Sequence, residues 1–382
     1  MKKALIVTTV SGFVPQFEMH NVHILQQLGY EVHYASNFQN VSYGIDNHRL
    51  DGTGIVRHQV DLMRSPFDLK NNRKAYQQIK EILKAEKFDL LHCHTPVGAV
   101  LARLAAKPYR KKGMKVIYTA HGFHFYKGAP LKFWLVSYPI EWWLAKDTDS
   151  LITINEEDFK NAKKLPVGRK YGKKGNVCKI DSVGIDCEKY RLGLCSKEQK
   201  RKEFGISKEA FVFISVGELN WNKNHAIVVE ALGRLKELNL QYIICGEGIE
   251  RASLEKRAKQ LGIIDKVILT GFRSDIPEIL NASDAMIFPS LREGFGLAAV
   301  EAMATGIPVI AFDNRGTREY MQDGKNGYVV WDNDVEGMIN AIKRLYYLPK
   351  EEYEIMQQHC LKTAKRFDYH FVNKIMKKIY EE

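Results

Sequence analysis

Two successive series of short apolar runs, each alternating with helix-patterned segments, restrict the fold of this chain more than any other feature. The first series occupies 4–10, 16–28, 31–35, 70–84, 90–93, 99–106, 116–119, 131–145 and 151–154. After a helix starting at 197–204, the second occupies 211–216, 225–238, 242–245, 251–261, 267–269, 285–288, 309–311 and 328–330. This is the rhythm of parallel sheets covered by helices on both faces, whose ligands bind beyond the carboxyl ends of the strands. The expected class is α/β, with two doubly wound, Rossmann-like domains. The stretch 179–186 reads as a last strand running into a hinge, which puts the domains at 1–186 and 187–365 and leaves a tail, 366–382, with a helix at 369–380. A chain of 382 residues accommodates two such domains of about 190 residues each.

The junction at 285–308 concentrates the chemistry. Ala285-Met286-Ile287-Phe288 reads as a buried strand, Gly294 and Gly296 permit a tight turn, and 297–304 has helix-forming composition ending at Gly306. The first N–H groups of such a helix, with its dipole, favour a phosphate, and the glycines let that anion come close. Glu293 precedes the helix and Glu301 lies about one turn inside it. A carboxylate suits vicinal sugar hydroxyls because it accepts two hydrogen bonds, so two of them beside a phosphate site suggest a nucleotide sugar. The alternative is a surface glutamate before a helix and a second on its polar face.

The run Pro289-Ser290-x-x-Glu293-Gly294-Phe295-Gly296-Leu297-x-x-x-Glu301-Ala302-Met303-Ala304-x-Gly306-x-Pro308-Val309 resembles the signature of family-4 retaining glycosyltransferases of GT-B fold, of the bacterial capsular or exopolysaccharide type. The resemblance implies two Rossmann-like domains facing a cleft, with a C-terminal helix returning to the first. It also implies transfer, with retention, of a hexose or N-acetylhexosamine. The donor is a nucleoside-diphosphate sugar, expected to be a UDP-sugar, and the acceptor is a polyprenyl-diphosphate-linked sugar held by the first domain. No cofactor is implied, and no metal.

The resemblance extends to other loops. Residues 215–225 are similar to the family's phosphate loop, where Lys223 matches a lysine that neutralises the donor diphosphate, but Glu218 stands where an arginine is usual. A carboxylate about 6 Å from a phosphate charge, at an effective dielectric near 20, is repelled by roughly 3 kcal/mol. The missing cation is therefore expected from Arg315 or Arg318. Backbone around Gly296, Leu297 and Ala298, with Gly294 and Phe295, is expected to hold the diphosphate, Glu301 the ribose and Glu293 the donor sugar. Arg273 and Asp275 are expected near the base. In the first half, Gly12 lies in a loop between donor phosphates and acceptor in the resembled family. His121 matches a histidine that reaches the donor sugar, with His124 a weaker second candidate. Taken alone, a histidine before glycine is as often a loop hydrogen-bonder as a catalyst.

Formal charge of +12 points to an anionic partner: a phosphorylated ligand, an anionic membrane face or nucleic acid. The basic residues are dispersed and match no nucleic-acid motif, which disfavours a nucleic-acid-binding protein. The other rival, a nucleotide-sugar 2-epimerase of similar plan, needs no acceptor. Six scattered cysteines indicate neither a zinc site nor a disulfide framework, and no run approaches the roughly 20 apolar residues that span a bilayer. The start of the chain reads as a strand rather than a signal peptide. A cytoplasmic protein, peripheral at the inner membrane face, is the expectation. The 131–144 segment carries Trp134, Trp142 and Trp143, either as core or as an edge dipping into a membrane, with Lys107, Arg110, Lys111, Lys112 and Lys115 meeting anionic headgroups. His92 and His94 would share a strand face, but two ligands with no third group nearby do not make a metal site.

Overall fold

The computed structural model describes residues 1–40, 47–169, 175–191, 193, 195–331 and 333–382. They divide into two units, Met1–Val183 with Tyr369–Glu382, and Gly184–Asp368.

In the first unit the strands are β1 (Lys2–Val7), β2 (Tyr30–Ser36), β3 (Val56–Gln59), β4 (Leu90–His94), β5 (Lys115–Ala120), β6 (Ser150–Thr153) and β7 (Asn176–Lys179). They form one sheet in the order β3-β2-β1-β4-β5-β6-β7, all parallel. The helices are α1 (Met19–Gln27), α2 (Leu69–Ala85), α3 (Pro96–Arg110), α4 (Leu131–Ala145) and α5 (Glu156–Ala162). Central β1 and β4 are buried on both faces, as a crossover-covered sheet demands. Ala75, Ile79 and Leu83 form the inner stripe of α2, and the small residues Ala99, Ala102 and Ala106 let α3 lie close to the strands. Buried Arg103 of α3 reaches Glu141 of α4 at 2.9 Å and stacks 4.1 Å from the Tyr118 ring, so its charge is paired as well as buried.

The second unit repeats the plan. Its strands β8 (Phe211–Val216), β9 (Leu240–Cys245), β10 (Val267–Gly271), β11 (Ala285–Phe288), β12 (Val309–Phe312) and β13 (Gly327–Val330) run parallel in the order β10-β9-β8-β11-β12-β13. Its helices are α6 (Lys197–Glu203), α7 (His225–Gly233), α8 (Arg251–Gln260), α9 (Ile276–Ala282), α10 (Leu297–Ala304), α11 (Val335–Tyr346) and α12 (Lys350–Lys365). The last helix, α13 (Tyr369–Glu381), belongs to the first unit, where Tyr380 hydrogen-bonds His92 at 2.8 Å and Lys115 donates to the Ile379 carbonyl.

Several expected boundaries move. Both edge strands of the first sheet escaped the apolar pattern: β3 is largely exposed and β7 only partly buried, so neither needs a continuous apolar run. The last strand lies at Asn176–Lys179, ahead of the expected 179–186, and the units part after Val183 rather than 186. Helix α7 stops at Gly233 rather than continuing to 238. The segment expected to be one helix from 16 to 28 opens with a wide π turn, Val14–Glu18, before α1. Arg110 and Lys115 are not headgroup cations: Arg110 pairs with Asp149 at 2.5 Å, and Lys115 is tied to α13.

Candidate donor site and the histidine cluster

The second unit gathers its charged groups where β8 and β11 end. The loop after β8 runs from Gly217 to Lys223, and Asn224 follows in the left-handed region at φ 53, a conformation asparagine tolerates better than most residues. The loop is fastened to the one after β11: the Leu291 N–H donates to the Asn222 carbonyl, and the Asn222 side-chain amide donates to the Arg292 carbonyl, both at 2.9 Å. Lys223 Nζ then donates to Glu293 Oε1 at 2.6 Å. The stem of this lysine passes Gly217, where a Cβ would lie 3.1 Å from Lys223 Cε, and its ammonium sits 5.1 Å from the centroid of the Phe288 ring. Two sequence candidates 70 residues apart thus form one ion pair.

Helix α10 starts beside this pair. No side chain caps α10, as none caps α1, α3, α4, α7, α8, α9 or α12. Its cap is Gly296 in the left-handed region, at φ 92 and ψ 63. The first amides of α10 therefore have no capping side chain as acceptor, which leaves them able to take an anion. Tyr320 lies under the turn, its hydroxyl donating to the Gly296 carbonyl at 3.3 Å, and Phe295 packs on Tyr320 and Phe367 at 5.3 and 5.1 Å. Phe295 is thus a buried anchor of the turn.

The remaining candidates separate. Arg315, 8% exposed, donates from Nε to the Glu293 carbonyl at 3.3 Å, which brings it to the Lys223–Glu293 pair. Arg318, 55% exposed, instead forks onto Asp313 at 2.8 and 2.6 Å. Glu218 is exposed; its carbonyl accepts from the Asn220 N–H at 2.9 Å, and its carboxylate has no hydrogen-bond or ion-pair partner among the described residues. Glu301 faces the Tyr190 hydroxyl; burial raises its carboxyl pKa, and the Tyr190 contact pulls the other way. Tyr190 carried no sequence signal, because it lies more than a hundred residues before α10 and only the fold brings the two together. Arg273 and Asp275, expected near the base, direct their side chains at α6: Arg273 forks onto Asp275 at 2.7 and 2.6 Å and reaches Glu203 at 2.6 Å, while Asp275 also pairs with Lys200. That leaves backbone as what this loop can offer a base.

In the first unit His121 follows β5 directly and stands in a cluster the sequence did not reveal. His94 Nδ1 and His121 Nε2 share a hydrogen bond of 3.0 Å, and Glu18 Oε1 lies 3.5 Å from the former and 3.7 Å from the latter. The third and fourth groups that His92 and His94 lacked in the sequence thus exist in space, but His92 is not among them: its nitrogens are engaged by Tyr380 and Thr119, each at 2.8 Å. Buried Gly12 lies in the turn after β1, its carbonyl accepting from the Gln16 N–H at 3.2 Å, and the next residue, Phe13, packs edge-on to His121 at 4.9 Å. The π turn carries Glu18 inward at its last position. Burial pushes the Glu18 carboxyl up to about 8 and His121 down to about 4. His124 is turned elsewhere, 5.9 Å from Phe133.

An all-parallel doubly wound sheet used twice in one chain, with a lysine and two glutamates around a helix start in the second, is the architecture of a GT-B glycosyltransferase. The chain belongs to that class: the model of the family described as "Glycosyl transferases group 1" matches residues 196–365, and that of "Glycosyl transferase 4-like" matches 4–155. It is 39% identical over 371 residues to the Bacillus subtilis (strain 168) protein named "Putative glycosyltransferase EpsD", covering 96% of this chain and 93% of that one. It is 31% identical over 300 residues to an Escherichia coli UDP-Gal:alpha-D-GlcNAc-diphosphoundecaprenol alpha-1,3-galactosyltransferase, covering 77% and 75% of the two chains. Among solved structures, Anabaena Alr3699/HepE in complex with UDP and glucose superposes with a TM-score of 0.80 at 18% identity over the full length of both chains.

Proposed function

We propose that the protein transfers a hexose or N-acetylhexosamine from a UDP-sugar to a polyprenyl-diphosphate-linked sugar, with retention at the anomeric carbon, in the synthesis of a surface polysaccharide. The observation that carries this reading is the Lys223–Glu293 pair beside the start of α10, which no side chain caps. Lys223, Arg315 and the amides of Gly296 to Ala298 stabilise the leaving diphosphate, an electrostatic role that also makes a metal on the phosphates unnecessary. Glu293 holds sugar hydroxyls and Glu301, released by Tyr190, holds the ribose. His121 is assigned to the donor sugar on its match to the family's histidine. The lipid-linked acceptor is supported by the name of the Escherichia coli relative.

The test is incubation of the purified chain with labelled UDP-hexoses and UDP-N-acetylhexosamines and a lipid extract containing polyprenyl-diphosphate sugars. Label is expected in the lipid fraction, α-linked when the donor is α-linked. An inverted linkage, or conversion of the donor without any acceptor, overturns the proposal.

A peripheral membrane contact goes with this acceptor. Trp134 and Tyr138 of α4 pack into the core, but Leu135, Val136, Trp142 and Trp143 are exposed, and Lys107 and Lys146 lie 3.4 and 3.7 Å from the Trp143 and Trp142 rings. Among the described residues no helix is long and apolar enough to cross a membrane. We infer that this face of α4 lies in a headgroup layer, at the cytoplasmic side where sugar nucleotides occur. Replacing Leu135 and Val136 by glutamate is expected to weaken binding to anionic phospholipid vesicles by on the order of tenfold, with UDP binding unchanged. Equal sedimentation of variant and parent with the vesicles sinks this part.

A further inference from the structure

The cluster of Glu18, His94 and His121 has the composition and dimensions of a metal site. Its three atoms, Glu18 Oε1, His94 Nδ1 and His121 Nε2, form a triangle with edges of 3.0, 3.5 and 3.7 Å. A tetrahedral zinc ion with bonds of about 2.0–2.1 Å requires ligand atoms about 3.3–3.4 Å apart. The three edges straddle that value. Two histidines and one glutamate are also a set zinc takes in sites that keep a fourth position open.

A second observation points into the same space. Glu18 and His94 are each 1% exposed in their side chains, and Glu18 Oε1 has no hydrogen-bond partner. The other carboxylate oxygen accepts from the Asn21 amide at 2.6 Å, which fixes the orientation of the group as an outer-shell partner would. Among the described residues no lysine or arginine pairs with Glu18. The other carboxylate–histidine cluster of this unit, Glu31, His33 and Glu86, shows the contrast: both its carboxylates pair with the Lys3 ammonium, Glu31 at 2.9 Å. There the cation is supplied by the chain. Around Glu18 it is not.

We propose that Glu18, His94 and His121 bind a divalent transition-metal ion, zinc by preference, through Oε1, Nδ1 and Nε2. His121 is 22% exposed in its side chain, so the open position faces that side of the cluster. Metal on Nε2 fixes His121 as the Nδ1–H tautomer, and the ring then presents a hydrogen-bond donor at its other nitrogen. The ion sets the orientation of His121; it is not the group that neutralises the diphosphate, which belongs to the second unit.

The experiment uses the full chain, stripped with a chelator and titrated with zinc chloride by calorimetry, with no sugar nucleotide present. Its outcome is therefore independent of whether the transfer reaction is correctly assigned. One equivalent is expected to bind tightly, and cobalt(II) in its place is expected to give the intense visible absorption of a tetrahedral site. Glu18→Gln and His94→Gln are each expected to weaken binding by on the order of 100-fold, whereas Glu31→Gln leaves it unchanged. Circular dichroism establishes that each variant is folded; should Glu18→Gln not fold, His121→Gln, at the partly exposed corner, takes its place. No binding by the parent, or binding that survives both Glu18→Gln and His121→Gln, overturns the proposal.

Discussion

Lys223→Met is expected to reduce kcat/KM by about 100- to 1,000-fold, the range found when one preorganised group facing developing negative charge is removed. The loss has two parts. The variant removes a cation from the diphosphate, and it strands the Glu293 carboxylate, 15% exposed and now without its 2.6 Å partner. At about 6 Å and an effective dielectric near 20, that carboxylate repels a phosphate charge by roughly 3 kcal/mol. UDP, which lacks the sugar Glu293 is assigned to hold, separates the two parts. Lys223→Met combined with Glu293→Gln is expected to bind UDP more tightly than Lys223→Met alone when titrated by calorimetry. Arg315→Ala is expected to weaken UDP binding by on the order of tenfold, and Arg318→Ala, paired with Asp313 on an exposed face, by less than about twofold. If Arg318→Ala weakens UDP binding as much as Arg315→Ala, or if the double variant binds no better than Lys223→Met, this assignment of the charges is wrong.

Gly296→Ala is expected to be the most damaging of the conservative changes at the site. At φ 92 a side chain costs roughly 1–2 kcal/mol before any contact is considered. A Cβ would also stand 2.7 Å from Phe288 Cε1 and 2.9 Å from the Tyr320 hydroxyl, and crowding of this kind costs about 1–3 kcal/mol. Both neighbours are fully buried rings, so neither yields easily. Thermal denaturation should show the transition of the second unit lowered by about 5–15 °C. UDP affinity should fall as well, because the first amides of α10 cannot keep their place when the cap shifts. A variant that melts within about a degree of the parent and binds UDP equally would show that the turn relaxes freely.

The parts of this molecule that were legible in the sequence are those whose cause is local. The helix expected at 297–304 is α10 to the residue, because its start and stop are set by glycines and its interior by helix formers. Central strands such as β8 and β11 declared themselves by continuous apolar runs, while β3 and β7, at the sheet edges, bury too little to need one. Site residues followed the same division. Lys223 and Glu293 each stand out in their own loop, but no local pattern encodes the ion pair between them. Tyr190 at Glu301, and Glu18 beside His94 and His121, depend on strand order, which no local pattern encodes. The engagement of Arg273 and Asp275 with α6 was hidden for the same reason, since Lys200 and Glu203 lie about seventy residues upstream.

Because α13 completes the first unit, the amino-terminal half of this protein waits for the carboxyl-terminal residues before its fold is closed. During synthesis Gly184–Asp368 can emerge and settle before Tyr380 arrives to meet His92. The domain begun first is finished last: until α13 has left the ribosome, the α1 surface that it covers stays bare.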